Sequence, residues 1–334
     1  MRSRPASNGS VLVLVLWTMS VLAVLTVSLS YGARQKATLL HRLETAAELE
    51  PAAFSGVEKA RAFIKDADDT PELDTFFDSW NDSPMQFKDV PVAGGAFSVL
   101  GQGERYGLVD EARKIPLNSA DAPVLTRLFE TVAEIEHDQA EALAYAVIDW
   151  RDTDSTYQHA SYGAEDGDYD ELALPYGSKD GPYQSVNELL LIKGMERPIF
   201  DKIKHFVTPF GLGVNVHTAS PTVLSALGLS AGLVDKILRF RNGRDGEEGT
   251  ADDGYFNQPD QIAAVLNNTI TLDEAEKDAL NQLVSLGRLA VYSGYFSVRS
   301  RAERSTDKSF MEMEAVIDRK GNVLSLWSSR VNGA

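Results

Sequence analysis

The stretch SVLVLVLWTMSVLAVLTVSLSYGAR, residues 10–34, decides the fold class of this 334-residue chain. It is apolar through Leu29, and no charged residue lies between Arg4 and Arg34. About 20 apolar residues at ~1.5 Å each match a bilayer core of ~30 Å, so the stretch predicts a transmembrane helix over residues 10–31. The arginines before this helix favour a cytoplasmic N-terminus.

Three interpretations of this N-terminus are open. A cleaved secretory signal has an apolar region of only ~7–15 residues, whereas here the helical spacing of leucines continues to residue 49, and we expect Pro51 to end the helix. A plain single-span anchor is the second interpretation. The third is a prepilin-like segment, in which a basic leader of residues 1–9 ends in Gly9 and is cleaved before Ser10. The long helix that follows would be half membrane-embedded and half amphipathic.

The composition limits the classes of function. The chain has 49 acidic and 32 basic residues, a formal net charge of −17, which repels the phosphate backbone of nucleic acids. It has no cysteine, so disulfides, thiolate metal sites and cysteine nucleophiles are excluded. No HExxH pair occurs, and no GxSxG, phosphate-binding loop or GxGxxG sequence stands in the structural context that its chemistry requires. We therefore expect a protein that is not an enzyme and does not bind nucleic acid broadly.

The rest of the chain predicts strands at both ends of a helical region. Residues 56–67 read as a short amphipathic helix. Alternating or β-branched runs predict strands at 97–100, 106–109, 292–301, 310–317 and 323–330, the last two joined by a turn at 318–322.

Helical signals dominate between these strands, over residues 118–289. A long helix is expected over residues 123–150. Ser185 and Glu188 form a capping box, and Ser220-Pro221 supplies an N-cap and a proline in the first turn of another helix. The last helix is expected over residues 273–286.

One pattern occurs twice in this helical region. Residues 115–125, IPLNSADAPVL, resemble residues 214–224, VNVHTASPTVL, and the second copy continues into a unit that looks like a helix-hairpin-helix. Such units often bind nucleic-acid phosphates through hairpin backbone amides. The surrounding lysine and arginine residues, however, alternate with acids such as Asp235 and Asp245, so a structural helical pair is the favoured interpretation.

Two acidic segments are candidate cation sites. Carboxylates at alternating loop positions, with glycine permitting the turn, suit calcium, which takes ~6–8 oxygen ligands. The candidate ligands in the first segment are Asp149, Asp152, Asp154, Glu165, Asp166 and Asp168. The second segment, residues 245–253, mixes glycine and acids in the same way. A solvated acidic loop is the alternative for each segment.

The leader, Gly9, the apolar run and the repeated pattern resemble one family over nearly the whole chain, the K-type minor pseudopilins of type II secretion (general secretion pathway protein K). Most pilin-like subunits carry a glutamate at the fifth mature position, which here is Leu14. The K-type subunit typically lacks this acid, so the departure from the general pattern agrees with the resemblance. Ser10 as the first mature residue is less usual in the family.

The resemblance implies an α+β fold. A pilin-like N-terminal transmembrane helix packs on a small antiparallel sheet, and a large helical domain, helix-hairpin-helix-like, is inserted between strands. The expected divisions are a leader (1–9), a transmembrane helix (10–31), an amphipathic helix with the first part of the body (32–117), the inserted domain (118–289) and the C-terminal strands (290–334).

The resemblance also implies a function and partners. The expected role is a subunit at the tip of the pseudopilus that begins or caps its assembly and supports export of folded proteins across the outer membrane. The implied partners are I-type and J-type minor pseudopilins, other pseudopilus subunits, prepilin peptidase and lipid of the bacterial inner membrane, with the body in the periplasm. The family also binds calcium in its inserted domain.

Two other functions remain open at this point. A competence or type IV pilus minor pilin would contact DNA through the helix-hairpin-helix-like unit. A single-span envelope protein with a calcium-binding domain would have no assembly role and would not be processed by prepilin peptidase.

Overall fold

The structure, a computed structural model, describes residues 9–66, 73–170 and 172–331. The predicted leader, apart from Gly9, lies outside the described residues. The strands are β1 (Val90–Val92), β2 (Gly95–Val99), β3 (Val109–Asp110), β4 (Ile115–Pro116), β5 (Val207–Thr208), β6 (Val214–Asn215), β7 (Leu289–Ala290), β8 (Tyr295–Arg304), β9 (Phe310–Asp318) and β10 (Val323–Val331). The α-helices are α1 (Gly9–Asp66), α2 (Pro84–Phe87), α3 (Ala122–Leu128), α4 (His137–Asp149), α5 (Asp166–Asp170), α6 (Arg197–Ile203), α7 (Pro221–Ala226), α8 (Ala231–Arg241), α9 (Ile262–Thr269) and α10 (Glu274–Ser285).

Helix α1 is 58 residues long and unbroken. The prediction that Pro51 ends the helix is therefore wrong, and residues 56–66 belong to α1 rather than to the separate helix predicted over residues 56–67. An interior proline removes one backbone hydrogen bond and costs ~3 kcal/mol. The burial of Leu49, Ala53 and Val57 on the same face outweighs this cost, because each leaves water completely or almost completely.

The C-terminal half of α1 packs on an antiparallel sheet with the order β1-β2-β8-β9-β10, in which β3 also pairs with β8. Alternate residues of β8, from Phe296 to Ala302, are buried beneath the helix. Gly56 lies where α1 crosses β8, and a Cβ atom there would be 2.1 Å from Ser300 Oγ. A side chain at position 56 would push the helix off the sheet.

The expected α+β fold is confirmed, with some strand bounds shifted. The strands predicted at 97–100, 292–301, 310–317 and 323–330 correspond to β2, β8, β9 and β10. The strand predicted at 106–109 is wrong for residues 106–108, since only Val109–Asp110 pairs with β8. Tyr106 N instead donates to Asp82 Oδ1 (2.9 Å), and Leu108 N donates to Trp80 O (2.7 Å), so a preceding loop takes these hydrogen bonds.

The helical part of the chain enters after β3 and leaves before β8, and it has its own hydrophobic core. This core runs in sequence from Ile115 to Val291. It includes the fully buried Leu125, Leu189 and Leu280, from three different helical segments. The chain thus builds two cores, one beneath α1 and one in the inserted helical part.

The single helix predicted over residues 123–150 is wrong. Helix α3 ends at Leu128, a wide π-helical turn follows over Phe129–Ala133, and Glu134 has a left-handed backbone with φ of 59°. The π-helical turn packs against α6, from which Lys202 Nζ donates to Ala133 O (3.0 Å). Packing against a distant segment therefore breaks a helix that local sequence would continue.

The repeated pattern is also a repeat of structure. In the first copy Asp121 caps α3 by accepting from Val124 N, and in the second Ser220 caps α7 by accepting from Val223 N. Arg151 donates to Leu117 O and Ala120 O in the first copy. Arg241 donates to the corresponding oxygens in the second copy, Val216 O (3.4 Å) and Ala219 O (2.7 Å).

A buried polar network joins the inserted part to the sheet. Asp110 Oδ2 accepts from Thr218 Oγ1 (2.6 Å) and Asn215 Nδ2 (2.9 Å), and Asp74 pairs with Arg319. Burial raises the pKa of both aspartates. Their hydrogen bonds provide the partners that buried carboxylates need, and they fix the insertion against the sheet.

Candidate functional site

The acidic loop, residues 149–168, begins at the last residue of α4. Asp149 is fully buried, and its two carboxylate oxygens accept from Gln158 N (3.1 Å) and Ala164 N (2.9 Å). Gly163 has φ of 105°, and a Cβ atom there would lie 2.0 Å from Asp149 Oδ2. Asp149 therefore closes the loop through its backbone, and Gly163 is needed for that close approach.

Glu165 and Asp152 have buried carboxylate oxygens without partners. Both oxygens of Glu165 and the Oδ1 atom of Asp152 make no hydrogen bond, although Glu165 is only 3% exposed. Burial, and then the negative charge of Asp149 and Asp152, raise the pKa of Glu165 to about 7. A buried carboxylate left unpaired is costly, so this arrangement favours either a proton or a cation beside Glu165.

The other predicted ligands have partners or are exposed. Asp168 binds Lys193 Nζ (2.5 Å) and accepts from Tyr157 OH (2.9 Å). Burial raises the pKa of Asp168, but the hydrogen bonds from Lys193, Glu165 N and Tyr157, together with the charge of Lys193, outweigh burial and lower the pKa. Asp166 accepts from the backbone and side chain of Ser178, and the exposed Asp154 accepts from Thr156 N.

Sequence reasoning missed Asp180. Its negative charge contributes to the raised pKa values of Glu165 and Asp152. Its backbone is left-handed, with φ of 51°, and its Oδ1 atom accepts from Ser178 Oγ (2.7 Å). Asp180 is followed by Gly181, a pair typical of turns that could have marked it. The candidate site is therefore Glu165, Asp152, Asp180 and Asp154, held by the hydrogen bonds of Asp149.

The donors of this site are of the right kind for a hard cation, because they are all carboxylates. Within residues 9–66, 73–170 and 172–331, no group of three or more His, Asp or Glu side chains is arranged to hold a metal ion. The feature that favours a cation is the set of three buried oxygens without partners on Glu165 and Asp152.

The second acidic segment is organised by its own hydrogen bonds. Asp252 accepts from Arg244 N (2.6 Å), Asp253 accepts from Gly249 N (2.7 Å), and Glu248 pairs with Arg241 (2.7 Å). In the described part of this segment, no buried carboxylate oxygen lacks a partner. The geometry therefore favours the acidic loop, rather than residues 245–253, as the cation site.

The helix-hairpin-helix-like unit is present as α7 and α8, joined through Gly228 with φ of 98°. Its basic side chains are paired with acids. Lys236 binds Glu276 (2.7 Å) and Arg239 binds Asp235 (2.9 Å), while Arg241 is only 4% exposed. Cations neutralised in this way contribute little to phosphate binding, so the geometry favours a structural role for the unit.

The N-terminal half of α1 stands apart from both cores. From Val11 to Leu29 its side chains are mostly exposed, including Leu14 (60%). In the part of the chain that the structure describes, α1 is the one helix long and apolar enough to cross a membrane. An apolar surface of this length in a folded chain indicates contact with lipid or with another apolar helix.

Comparison with known proteins gives matches to one family. A family model described as "Type II secretion system (T2SS), protein K" matches residues 106–210, which include the acidic loop. Type II secretion system protein K of Aeromonas hydrophila is 29% identical over 209 residues, 60% of this chain and 56% of the relative. The Klebsiella pneumoniae protein of the same name is 33% identical over 115 residues, 34% of this chain and 33% of the relative. The matches thus span about half and a third of these relatives.

The fold is shared with a solved structure over most of its length. That structure is a crystal structure of the GspK-GspI-GspJ complex from the enterotoxigenic Escherichia coli type 2 secretion system. The match has a TM-score of 0.59 and 18% identity, and it covers 90% of this chain and 99% of the other. At this identity the match shows a shared fold, while the family model and the named relatives show that part of the chain is similar to type II secretion system protein K.

Proposed function

We propose that this protein is a minor pseudopilin at the tip of the type II secretion pseudopilus, where it begins or caps assembly and supports export of folded proteins. The observation that carries the proposal is the combination of a pilin-like helix-on-sheet body with a large inserted helical part. The core of the inserted part draws on a longer stretch of sequence than the body that it interrupts. The inserted part is therefore too bulky to be repeated at each position along a thin filament. An end position has room for it.

Leu14 supports the same position. In the families that this N-terminus resembles, a glutamate at the fifth mature position pairs with the amine of a neighbouring subunit. A carboxylate within the membrane needs such a partner. Leu14 has no charge to neutralise, so this subunit needs no neighbour ahead of it.

The I-type and J-type minor pseudopilins are the proposed direct partners. The support is the fold shared with one component of the GspK-GspI-GspJ complex. Helix α1 would anchor the protein by a single span in the bacterial inner membrane, with its body in the periplasm. Prepilin peptidase would cleave between Gly9 and Ser10, after the basic leader.

We also propose that calcium binds at the acidic loop and stabilises the inserted part. Glu165 and Asp152 would hold it through their unpartnered oxygens, with Asp180 and Asp154 as further donors. When bound, the ion supplies positive charge that turns the repulsion among these carboxylates into attraction. Asp149 would position the loop without itself giving up its two backbone hydrogen bonds.

The test is co-expression of the full chain with the I-type and J-type pseudopilins of the same organism. A complex of all three that survives purification through a tag on this chain alone would support the proposal. A chain that purifies alone, although the other two remain bound to each other, would contradict it. N-terminal sequencing of the membrane-extracted protein should begin at Ser10.

A further inference from the structure

The charges near the membrane-facing end of the chain are distributed unevenly. All 49 acidic residues lie at or after Glu44, while five basic residues precede it. Two of these, Arg2 and Arg4, belong to the leader. The other three, Arg34, Lys36 and Arg42, lie in a segment of residues 32–43 that contains no acid. We call this segment the basic collar.

The basic collar is an exposed part of α1. Every side chain from residue 33 to 43 is exposed, and Arg34, Lys36 and Arg42 form no ion pair with any residue in the described ranges. Because α1 is continuous, residue spacing gives height above the apolar segment. At ~1.5 Å per residue, Arg34 and Lys36 lie roughly 5 and 8 Å beyond Tyr31, and Arg42 roughly 16 Å beyond it.

The positive charge of the basic collar lies on the side of the membrane opposite to the one that the usual topology rule favours. Lysine and arginine next to a transmembrane helix are normally retained on the cytoplasmic side. Three cations on the far side of α1 weaken the orientation signal of the leader, so they require another explanation. The body above them is strongly acidic and would be repelled by an anionic membrane surface.

We propose that the basic collar is a docking surface for the headgroups of anionic phospholipids in the leaflet from which α1 emerges. Charge complementarity identifies the partner, since the collar presents only positive charge at the height where lipid phosphates lie. Tyr31, which is 65% exposed, adds an aromatic side chain at the same boundary. This inference rests on the membrane anchoring of α1 proposed above.

The height above the apolar segment decides which cations of the basic collar attract lipid headgroups. At physiological ionic strength the Debye length is ~8 Å, so Arg34 and Lys36 lie within about one Debye length of the apolar boundary. Arg42 lies at about two, where most of its attraction is screened. Acids begin farther out: Asp307 Oδ2 lies 3.6 Å from His41 Nε2, at a height of roughly 15 Å, and Glu44 lies at ~20 Å, so both are about two Debye lengths or more from the boundary.

The experiment uses the full-length protein in vesicles of phosphatidylcholine with a minority of phosphatidylglycerol. Spin-labelled forms of the two lipids report their relative association with the protein by electron paramagnetic resonance. Wild type should prefer phosphatidylglycerol at low salt. Arg34→Gln should reduce this preference roughly fivefold where one cation acts at full strength. The same change at a distance, Arg42→Gln, is the matched control and should leave the preference nearly unchanged.

Further outcomes bear on the proposal directly. The double variant Arg34→Gln/Lys36→Gln should lose more of the preference than the single variant, and high salt should remove the difference between variants and wild type. Equal association of the two lipids with wild type would overturn the proposal. An equal loss in Arg34→Gln and Arg42→Gln would also overturn it, because total charge would then explain the preference. An unchanged preference in the double variant would overturn it as well, because the preference would then come from another part of the chain.

The anchoring itself is checked separately. Full-length protein that alkaline carbonate releases from membranes would contradict the proposed single span. Protein that resists release but shows no lipid preference would leave the anchor intact and refute only the collar.

Discussion

Glu165→Gln tests the acidic loop most sharply, because glutamine has the shape of a protonated glutamate. The buried Glu165 has an ordinary pKa of 4.5 that burial and the neighbouring carboxylates raise to about 7. A carboxyl whose pKa is raised by folding favours the folded state when protonated. In calcium-free buffer its stabilising effect is therefore complete below pH ~4.5 and is lost as the pH rises to about 7.

The magnitude follows from the pKa shift. A difference of about 2.5 units between the unfolded and folded states corresponds to roughly 3 kcal/mol. Without calcium, Glu165→Gln should therefore be up to about 3 kcal/mol more stable than wild type above pH 7 and equally stable near pH 4. With calcium this difference should nearly disappear, since binding at a hundredfold excess over Kd adds ~2.7 kcal/mol to wild type and the variant lacks the charged ligand.

The assay is thermal unfolding of the full-length protein in detergent, in EDTA, calcium or magnesium, at pH 4.5 and pH 8. For a folded part the size of the insertion, 3 kcal/mol corresponds to a melting-temperature shift of roughly 6–12 °C. Asp168→Asn is the control, because Asp168 is bound to Lys193. This variant should be less stable than wild type but should keep its calcium response. Wild type that melts equally in EDTA and calcium would refute the site. A variant less stable than wild type in EDTA at pH 8 would refute the account of Glu165.

Three further predictions concern the folded body. The buried His217 has a pKa lowered by burial to about 4, so it costs stability as the pH falls from 6.5 towards 4; His217→Gln should flatten acid unfolding curves over this range by about 3 kcal/mol. Arg319→Ala should lower the free energy of unfolding by roughly 3–5 kcal/mol in denaturant, because it leaves Asp74 buried without its cation. An effect below about 1 kcal/mol would contradict the role of this ion pair in joining the inserted part to the sheet. Gly56→Ala should cost roughly 1–3 kcal/mol through its clash with β8, measured against the control Gly32→Ala, where an added Cβ would meet no atom within 4 Å.

Local chemistry made much of the fold predictable. The apolar run before Arg34 is helical, and the capping box at Ser185 and Glu188 forms as expected, although the segment it begins is a 3-10 helix over Val186–Leu191. Ser220 caps α7 as predicted. Such signals act between residues at most four apart, so the sequence carries them in full.

The failures have a different physical origin. Pro51 would end an isolated helix, but the sheet beneath α1 holds it in place. The break after Leu128 depends on packing against α6, some 70 residues later in the chain. Both outcomes are decided by tertiary contacts that no local window contains.

The candidate site was predictable in composition but not in roles. The sequence identifies acids in a glycine-containing loop, and Glu165 and Asp152 are among them. It does not distinguish Asp149, which binds backbone amides, from Glu165, which has no partner, because that depends on how the loop closes. Asp180 was missed because it follows α5 and approaches the loop only through the fold.

The central claim is that this subunit occupies one end of the pseudopilus. The most direct measurement is to label the full-length protein through a cysteine introduced on the exposed insertion, which is feasible because the chain has none. Purified pseudopili are then imaged to locate the label. The account predicts one label per filament, at one end, and its loss when the I-type and J-type subunits are deleted. Label distributed along the filament length would contradict it.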